Sequence, residues 1–295
     1  MTIFSTIGDI VSSGVPIGCL YALVAVSFNI LYRPTKVFNF AQGDMVMVGA
    51  MTAATLLGFK WAPWPIAVLL AMLLVGALCL VEEQIAVRPV LERAGNTWVI
   101  TTLAVALIID NVVGKIWGAD PLIVPAPFAL STEPISVLGL QISPYQLALI
   151  VLTFVLVGAA EALYSTRTGK AIKAIAEHRD AALLRGIDPV FVNRCSFFVG
   201  GCFAALTGYL ASPLIYASTA MASGLLLKGF AAAAVGGVGS SRGALAAGLV
   251  IGIAEATGAE LLSGGYQQAV VLAVALALLL ARPAGLFGQA QTRVV

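Results

Sequence analysis

Few residues in this chain could do chemistry, and those few stand among apolar neighbours. In the run Arg33-Pro34-Thr35-Lys36-Val37-Phe38-Asn39-Phe40-Ala41-Gln42-Gly43-Asp44, polar Asn39, Gln42 and Asp44 enter an otherwise apolar segment. Gly43 beside them permits backbone geometry that other residues resist. In lipid, such groups are tolerated where they face protein or a water-filled path. Asn39, Gln42 and Gly43 are therefore candidates for lining a solute pathway at a broken helix. A second role is compatible with the first: a cytoplasmic cap in which Asn39 or Asp44 accepts hydrogen bonds from free helix-end N–H groups. Glu255 is the fourth pathway candidate, the most central of the ionisable residues within apolar runs, ahead of Asp110, Lys115, Glu161 and Glu260. A carboxylate so placed lines a pathway or is satisfied by an interhelical hydrogen bond. Asp110 and Lys115, five residues apart, make a poor helical pair.

Other chemistry is excluded residue by residue. The single histidine, His178, cannot build a metal site alone. Cys19, Cys79, Cys195 and Cys202 each lie in an apolar run without CxxC spacing and read as small buried hydrophobes. The glycine-rich Gly236-Gly237-Val238-Gly239-Ser240-Ser241-Arg242-Gly243 lacks the spacing and the lysine of a phosphate-binding loop. Gly169-Lys170 is followed by Ala171, with Tyr164 where the first glycine should be. No nucleophile–base arrangement is legible. The chain is expected to be no enzyme, to hold no cofactor or metal, and to depend on a separate ATPase if ATP drives it.

Composition supplies the elements that must position these residues. Of 295 residues, 60% are hydrophobic and 10% charged, against about 25% charged in soluble domains. Mean hydropathy is +1.00. One crossing needs about 20 apolar residues. The sequence predicts an all-α, polytopic transmembrane helix bundle of about eight or nine segments, forming a single integral-membrane domain over 1–295. The segments are Ile10–Leu31, Phe38–Gly58, Pro63–Val81, Thr97–Trp117, Tyr145–Tyr164, Val192–Ala211, Leu225–Gly239, Gly243–Leu262 and Gln267–Ala281. Phe38–Gly58 and Leu225–Gly239 are the two expected to be short or broken. Small residues at four-residue spacing, Gly14/Gly18, Gly200/Ala204/Gly208 and Ala244/Gly248/Gly252, predict close helix–helix packing. No basic residue precedes Arg33, so the first run reads as a retained span rather than a cleaved signal.

Basic residues concentrate in cytoplasmic loops. With the 165–194 loop inside and the spans alternating, all of the 16 basic residues except Lys60, Lys115 and Lys228 fall inside. The N-terminus is then outside and the C-terminus cytoplasmic. The 118–144 loop falls outside; it holds Asp120, Glu133 and five prolines (at 121, 125, 127, 134 and 144) but no Lys or Arg. Within the inner loop, Lys170–Arg185 is a strong helix former, with Gly186 placed to end it and Pro189 beyond. Ile172, Ile175, Ala176, Leu183 and Leu184 give it an apolar stripe, which also suits a helix lying on anionic lipid.

Gly18-Cys19-Leu20-Tyr21-Ala22-Leu23, Asn39-Phe40-Ala41-Gln42-Gly43 and Met47-Val48-Gly49-Ala50 resemble the LivH-type permeases of branched-chain amino-acid ABC importers. So do Phe230-Ala231-Ala232-Ala233-Ala234-Val235-Gly236-Gly237-Val238-Gly239-Ser240, Gly243-Ala244 and the closing Pro283-Ala284-Gly285-Leu286-Phe287-Gly288. The resemblance implies a bacterial inner-membrane permease subunit. It would move branched-chain or other small hydrophobic amino acids, or related amides and carboxylates, by alternating access. It also implies a second related permease, two ATPase subunits and an extracytoplasmic solute-binding protein as partners. The 165–190 segment is then similar to the coupling loop that docks on the ATPase, with Ala174, Glu177, Asp180, Ala181 and Gly186 as its candidate residues. An ion-coupled secondary transporter is the alternative class, which Glu255 and the broken segments would also suit.

Overall fold

The computed structural model describes residues 3–59, 63–91, 96–137, 140–262 and 264–288. The helices are α1 (Ile3–Thr35), α2 (Gln42–Gly58), α3 (Trp64–Glu82), α4 (Arg88–Leu91), α5 (Thr97–Trp117), α6 (Pro144–Ser165), α7 (Arg167–Glu177), α8 (Arg179–Leu184), α9 (Pro189–Ile215), α10 (Met221–Gly236), α11 (Ser241–Leu261) and α12 (Gln267–Ala281). A π-turn, Glu83–Val87, joins α3 to α4. Among the described residues, two short antiparallel strands, β1 (Ile135–Val137) and β2 (Leu140–Ile142), pair Ile135 with Ile142 and Ser136 with Gln141. The chain is a polytopic helical membrane protein.

Among the described residues six helices are long and apolar enough to cross a membrane: α1, α3 continued through α4, α5, α6, α9 and α11. α10 and α12 have 16 and 15 residues, or about 24 and 22 Å, short of a hydrocarbon core of about 30 Å. α2, with 17 residues, is also short. The sequence leads one to expect two short segments; α12 is a third.

Local chemistry sets several of the boundaries. Asp188 Oδ1 accepts from Val190 N at 2.9 Å to open α9, and Ser240 Oγ accepts from Gly243 N at 3.0 Å to open α11. Gly186, with φ +79°, ends α8. There Gly186 N donates to Leu183 O at 2.9 Å and Ile187 N to Ala182 O at 3.0 Å, the paired bonds of a Schellman stop.

The expected single helix over 170–185 is two helices. His178 adopts φ −147°, ψ 98°, which ends α7 and begins α8. Packing overrides propensity here. Ile172 and Ile175 of α7 and Ala182 of α8 are buried, while Leu183 and Leu184 of the expected apolar stripe are exposed, Leu184 to 90%. Lys228 lies within α10, in the segment where the sequence map places it. Lys60, Arg93 and Arg293, used in the charge count, lie outside the described residues.

The chain divides into two compact units, the first drawn from 1–29, 130–161 and 228–295, the second from 30–129 and 162–227. In the first, α1 crosses α11 on the expected small residues. A Cβ on Gly18 would stand 2.8 Å from Gly248 O, and one on Gly14 2.9 Å from Ile253 Cα. Asn29 closes the turn before α11, accepting from Gly239 N at 2.8 Å and donating to Ser240 O at 3.1 Å. The C-terminal stretch is tied back through Leu286 N to Val235 O at 2.8 Å and Phe287 N to Gly236 O at 3.0 Å. In the second unit, α9 packs along α2 and α3. A Cβ on Gly49 would collide with Ala205, and one on Gly201 would stand 2.8 Å from Val75 O. With lipid on the outside, this close fit is the main source of helix association.

Candidate functional site

Each unit contains a polar centre inside its helices. In the second unit the chain leaves α1 at Lys36, which has φ +58°, and enters α2 at Gln42. Asn39 sits in this break, 1% exposed. Its Oδ1 accepts from Ala41 N at 2.9 Å, and its Nδ2 donates to Glu82 Oε2 at 2.9 Å. It therefore steadies the entry to α2 and reaches α3 at once. Glu82, 4% exposed, has a second oxygen, Oε1, without a hydrogen-bond partner among the described residues. Gln42, 0% exposed, donates from Nε2 to Gly200 O of α9 at 3.3 Å and leaves its own Oε1 unbonded. Gly43 is a packing contact: a Cβ there would stand 2.6 Å from Ala222 O and 2.7 Å from Leu226 Cβ. Asp44 is buried in the first turn of α2, where the helix dipole favours a carboxylate. Beside Glu82, Glu83 is buried with Arg88 Nε 3.4 Å and Arg194 Nε 4.0 Å from its oxygens.

In the first unit Glu255, 7% exposed, lies on α11 and is joined by two partners. Tyr21 Oη of α1 donates to Glu255 Oε2 at 2.5 Å. Lys228 Nζ of α10 donates to Glu255 Oε1 at 2.5 Å and to Tyr21 Oη at 3.0 Å. Each carboxylate oxygen thus has its own donor, and the three polar groups close a triangle linking α1, α10 and α11. Gly229 lets α10 approach, since a Cβ there would collide with Val24 of α1.

Of the four pathway candidates, Asn39, Gln42 and Gly43 gather around the start of α2, and Glu255 belongs to the other unit. All four are buried, turned to protein. The coupling candidates lie along α7 and α8: Ala174 half-buried, Glu177, Asp180 and Ala181 exposed, and Gly186 exposed at the stop. The sequence reading missed Tyr21, Asn29, Glu82, Glu83 and Lys228. Glu82 and Glu83 fall just past the predicted segment Pro63–Val81, and nothing in the sequence alone marks them as buried. Lys228 carried a usable signal, being a lone cation inside an alanine- and leucine-rich stretch. Among the described residues, no group of three or more His, Cys, Asp or Glu side chains is placed to hold a metal ion.

The chain matches the family described as branched-chain amino acid transport system, permease component, over residues 10–282. It is 29% identical over 300 residues to the high-affinity branched-chain amino acid transport system permease protein BraD of Pseudomonas aeruginosa, covering 96% of each chain. It is 29% identical over 303 residues to LivH, the permease protein of the corresponding system of Escherichia coli K12, again covering 96% of each. The probable branched-chain amino acid transport permease protein LivH of Methanocaldococcus jannaschii is 30% identical over 285 residues, with 91% of this chain and 89% of that protein covered. No solved structure matches the chain significantly. These matches run through both polar centres and through the α7–α8 segment. The chain is a multi-pass membrane permease subunit of an ABC import system rather than an enzyme, and it belongs to the branched-chain amino acid permease-component family.

Proposed function

We propose that this permease moves branched-chain or other small hydrophobic amino acids, or closely related amides and carboxylates, into the cytoplasm by alternating access. The observation that carries the reading is the near full-length match to permeases named for branched-chain amino acid transport. Asn39, Gln42, Gly43 and Glu255 belong to the solute pathway. The polar side chains of Asn39, Gln42 and Glu255 are buried in apolar surroundings, where such groups mark functional sites by default, and Gly43 lies beside them. The working assembly has a second related permease, two ATPase subunits and an extracytoplasmic binding protein. The 165–190 segment docks on an ATPase through Ala174, Glu177, Asp180, Ala181 and Gly186. Exposed charged residues and exposed Leu183 and Leu184 on α7–α8 suit that role.

The distribution of basic residues supports an N-terminus outside and a C-terminus in the cytoplasm. A cysteine at Ser131 should be labelled from the outer face and one at Thr168 should not; the reverse pattern would overturn the orientation.

Function is tested by reconstituting the permeases with ATPase subunits and a binding protein and measuring ATP-driven leucine uptake. Ala181→Trp should weaken ATPase association or uncouple hydrolysis through overpacking of about 1–3 kcal/mol, with the membrane fold retained. Normal association and uptake in both Ala181→Trp and Glu177→Ala would sink the coupling assignment. Uptake driven by a Na⁺ or H⁺ gradient without the ATPase would instead support an ion-coupled transporter.

A further inference from the structure

We propose that Lys228, Tyr21 and Glu255 form a headgroup site for a zwitterionic solute. The solute carboxylate takes the Lys228 ammonium and the Tyr21 hydroxyl, and the solute ammonium takes the Glu255 carboxylate. This deepens the reading of the chain as an amino-acid permease and rests on it.

Depth is the first support. Tyr21 stands near the middle of the 33-residue α1, and Lys228 near the middle of α10. A cation and a carboxylate held that far into apolar helices add little to stability, because desolvation offsets their attraction. Groups of this kind more often serve transport than folding. α10, which carries Lys228, is also among the helices too short to span, and transport sites tend to form at such short or interrupted segments near the bilayer midplane.

Charge balance supplies the selectivity. The triangle is internally neutral, with Lys228 Nζ on Glu255 Oε1 at 2.5 Å and Tyr21 Oη on Glu255 Oε2 at 2.5 Å. A solute bearing both charges exchanges one ion pair for two and leaves no buried charge alone. A solute with only a carboxylate frees Glu255 without a partner, and one with only an ammonium strands Lys228. Either orphan is heavily penalised in a low-dielectric setting. An uncharged amide cannot open the pair at all.

Geometry permits the exchange. The Lys228 side chain is 19% exposed, against 9% for Glu255, so the cation is the more open member of the pair. Its flexible stem can swing the ammonium without moving backbone. Tyr21 and Glu255 sit on α1 and α11, whose glycine contacts hold those two helices closely together. The fixed pair and the movable cation divide the work of holding and releasing a headgroup.

The test uses the full reconstituted importer with leucine, 4-methylpentanoate, 3-methylbutylamine and isobutyramide as solutes. The wild type should take up leucine at least about tenfold better than either singly charged analogue, since a buried charge left unpaired costs more than a factor of ten. The charge-exchanged Lys228→Glu/Glu255→Lys permease keeps an ion pair and should reach the membrane in normal amount, yet lose leucine uptake about tenfold or more. Tyr21→Phe, which keeps the ring, should raise the KM for leucine several-fold with the maximal rate largely retained. It remains informative if the exchanged pair fails to assemble. Leucine uptake by the wild type together with an unchanged KM in Tyr21→Phe would overturn the headgroup site and leave the amino-acid reading standing. Full uptake by the exchanged pair would do the same, making the triangle a structural staple. A wild type that moves isobutyramide and not leucine overturns both.

Discussion

Glu255 and Glu82 are both carboxylates buried within helices, yet their surroundings differ in kind. Glu255 meets an ammonium and a phenol, one on each oxygen, and its charge is answered. Glu82 meets only the neutral amide of Asn39, on one oxygen, and its other oxygen has no hydrogen-bond partner among the described residues. The first arrangement fixes charge and joins three helices. The second leaves an acceptor open in the interior, at the place where the chain breaks between α1 and α2. A buried acid with a full counterion is costly to disturb from either side. One held by an amide tolerates the loss of its charge, because its neutral form satisfies the same neighbour.

The contrast is easiest to break at Glu255. Glu255→Leu strands the Lys228 ammonium and should destabilise the protein by about 3–5 kcal/mol, the usual cost of halving a buried ion pair. Thermal unfolding in detergent or nanodiscs measures it, and a loss below about 1 kcal/mol would mean that the triangle is wet. Asn39→Ala should come next, at about 1–3 kcal/mol, because it removes both the Ala41 N–H acceptor and the one donor to Glu82. The smallest effect is expected for Glu82→Gln, below about 1 kcal/mol, the size of one neutral hydrogen bond. If Glu82→Gln proves as damaging as Glu255→Leu, Glu82 has a charged partner and the two centres are alike.

The sequence made much of this legible because lipid simplifies the code. α5 and α12 begin and end where the apolar runs do, and the small residues Gly14, Gly18, Gly248 and Gly252 give the close helix packing their spacing predicts, though which ridge meets which comes from the structure. Gly186 stops a helix where its type and position said it would. The break at His178 was not legible, since every neighbour favours helix and only burial of Ala182 rather than Leu183 and Leu184 distinguishes the two outcomes. Partners were equally hidden. Glu255 stood out alone, but nothing in one dimension relates it to Tyr21, 234 positions away. Glu82 and Glu83 lie just past the predicted segment Pro63–Val81, and only the structure shows that Asn39, Arg88 and Arg194 receive them.

The π-turn at Glu83–Val87 bears on how this chain can change in length. A π-turn closes its hydrogen bonds one residue further along than an α-helix does, and so contains one residue more. Elsewhere in a helix, losing a residue rotates everything downstream by about 100°. Within this turn, loss of an outward residue such as Ile85 converts a wide turn into an ordinary one and leaves Glu82 on one side and Arg88 on the other in their original phase. The segment between α3 and α4 can therefore absorb a single-residue deletion that the flanking helices cannot.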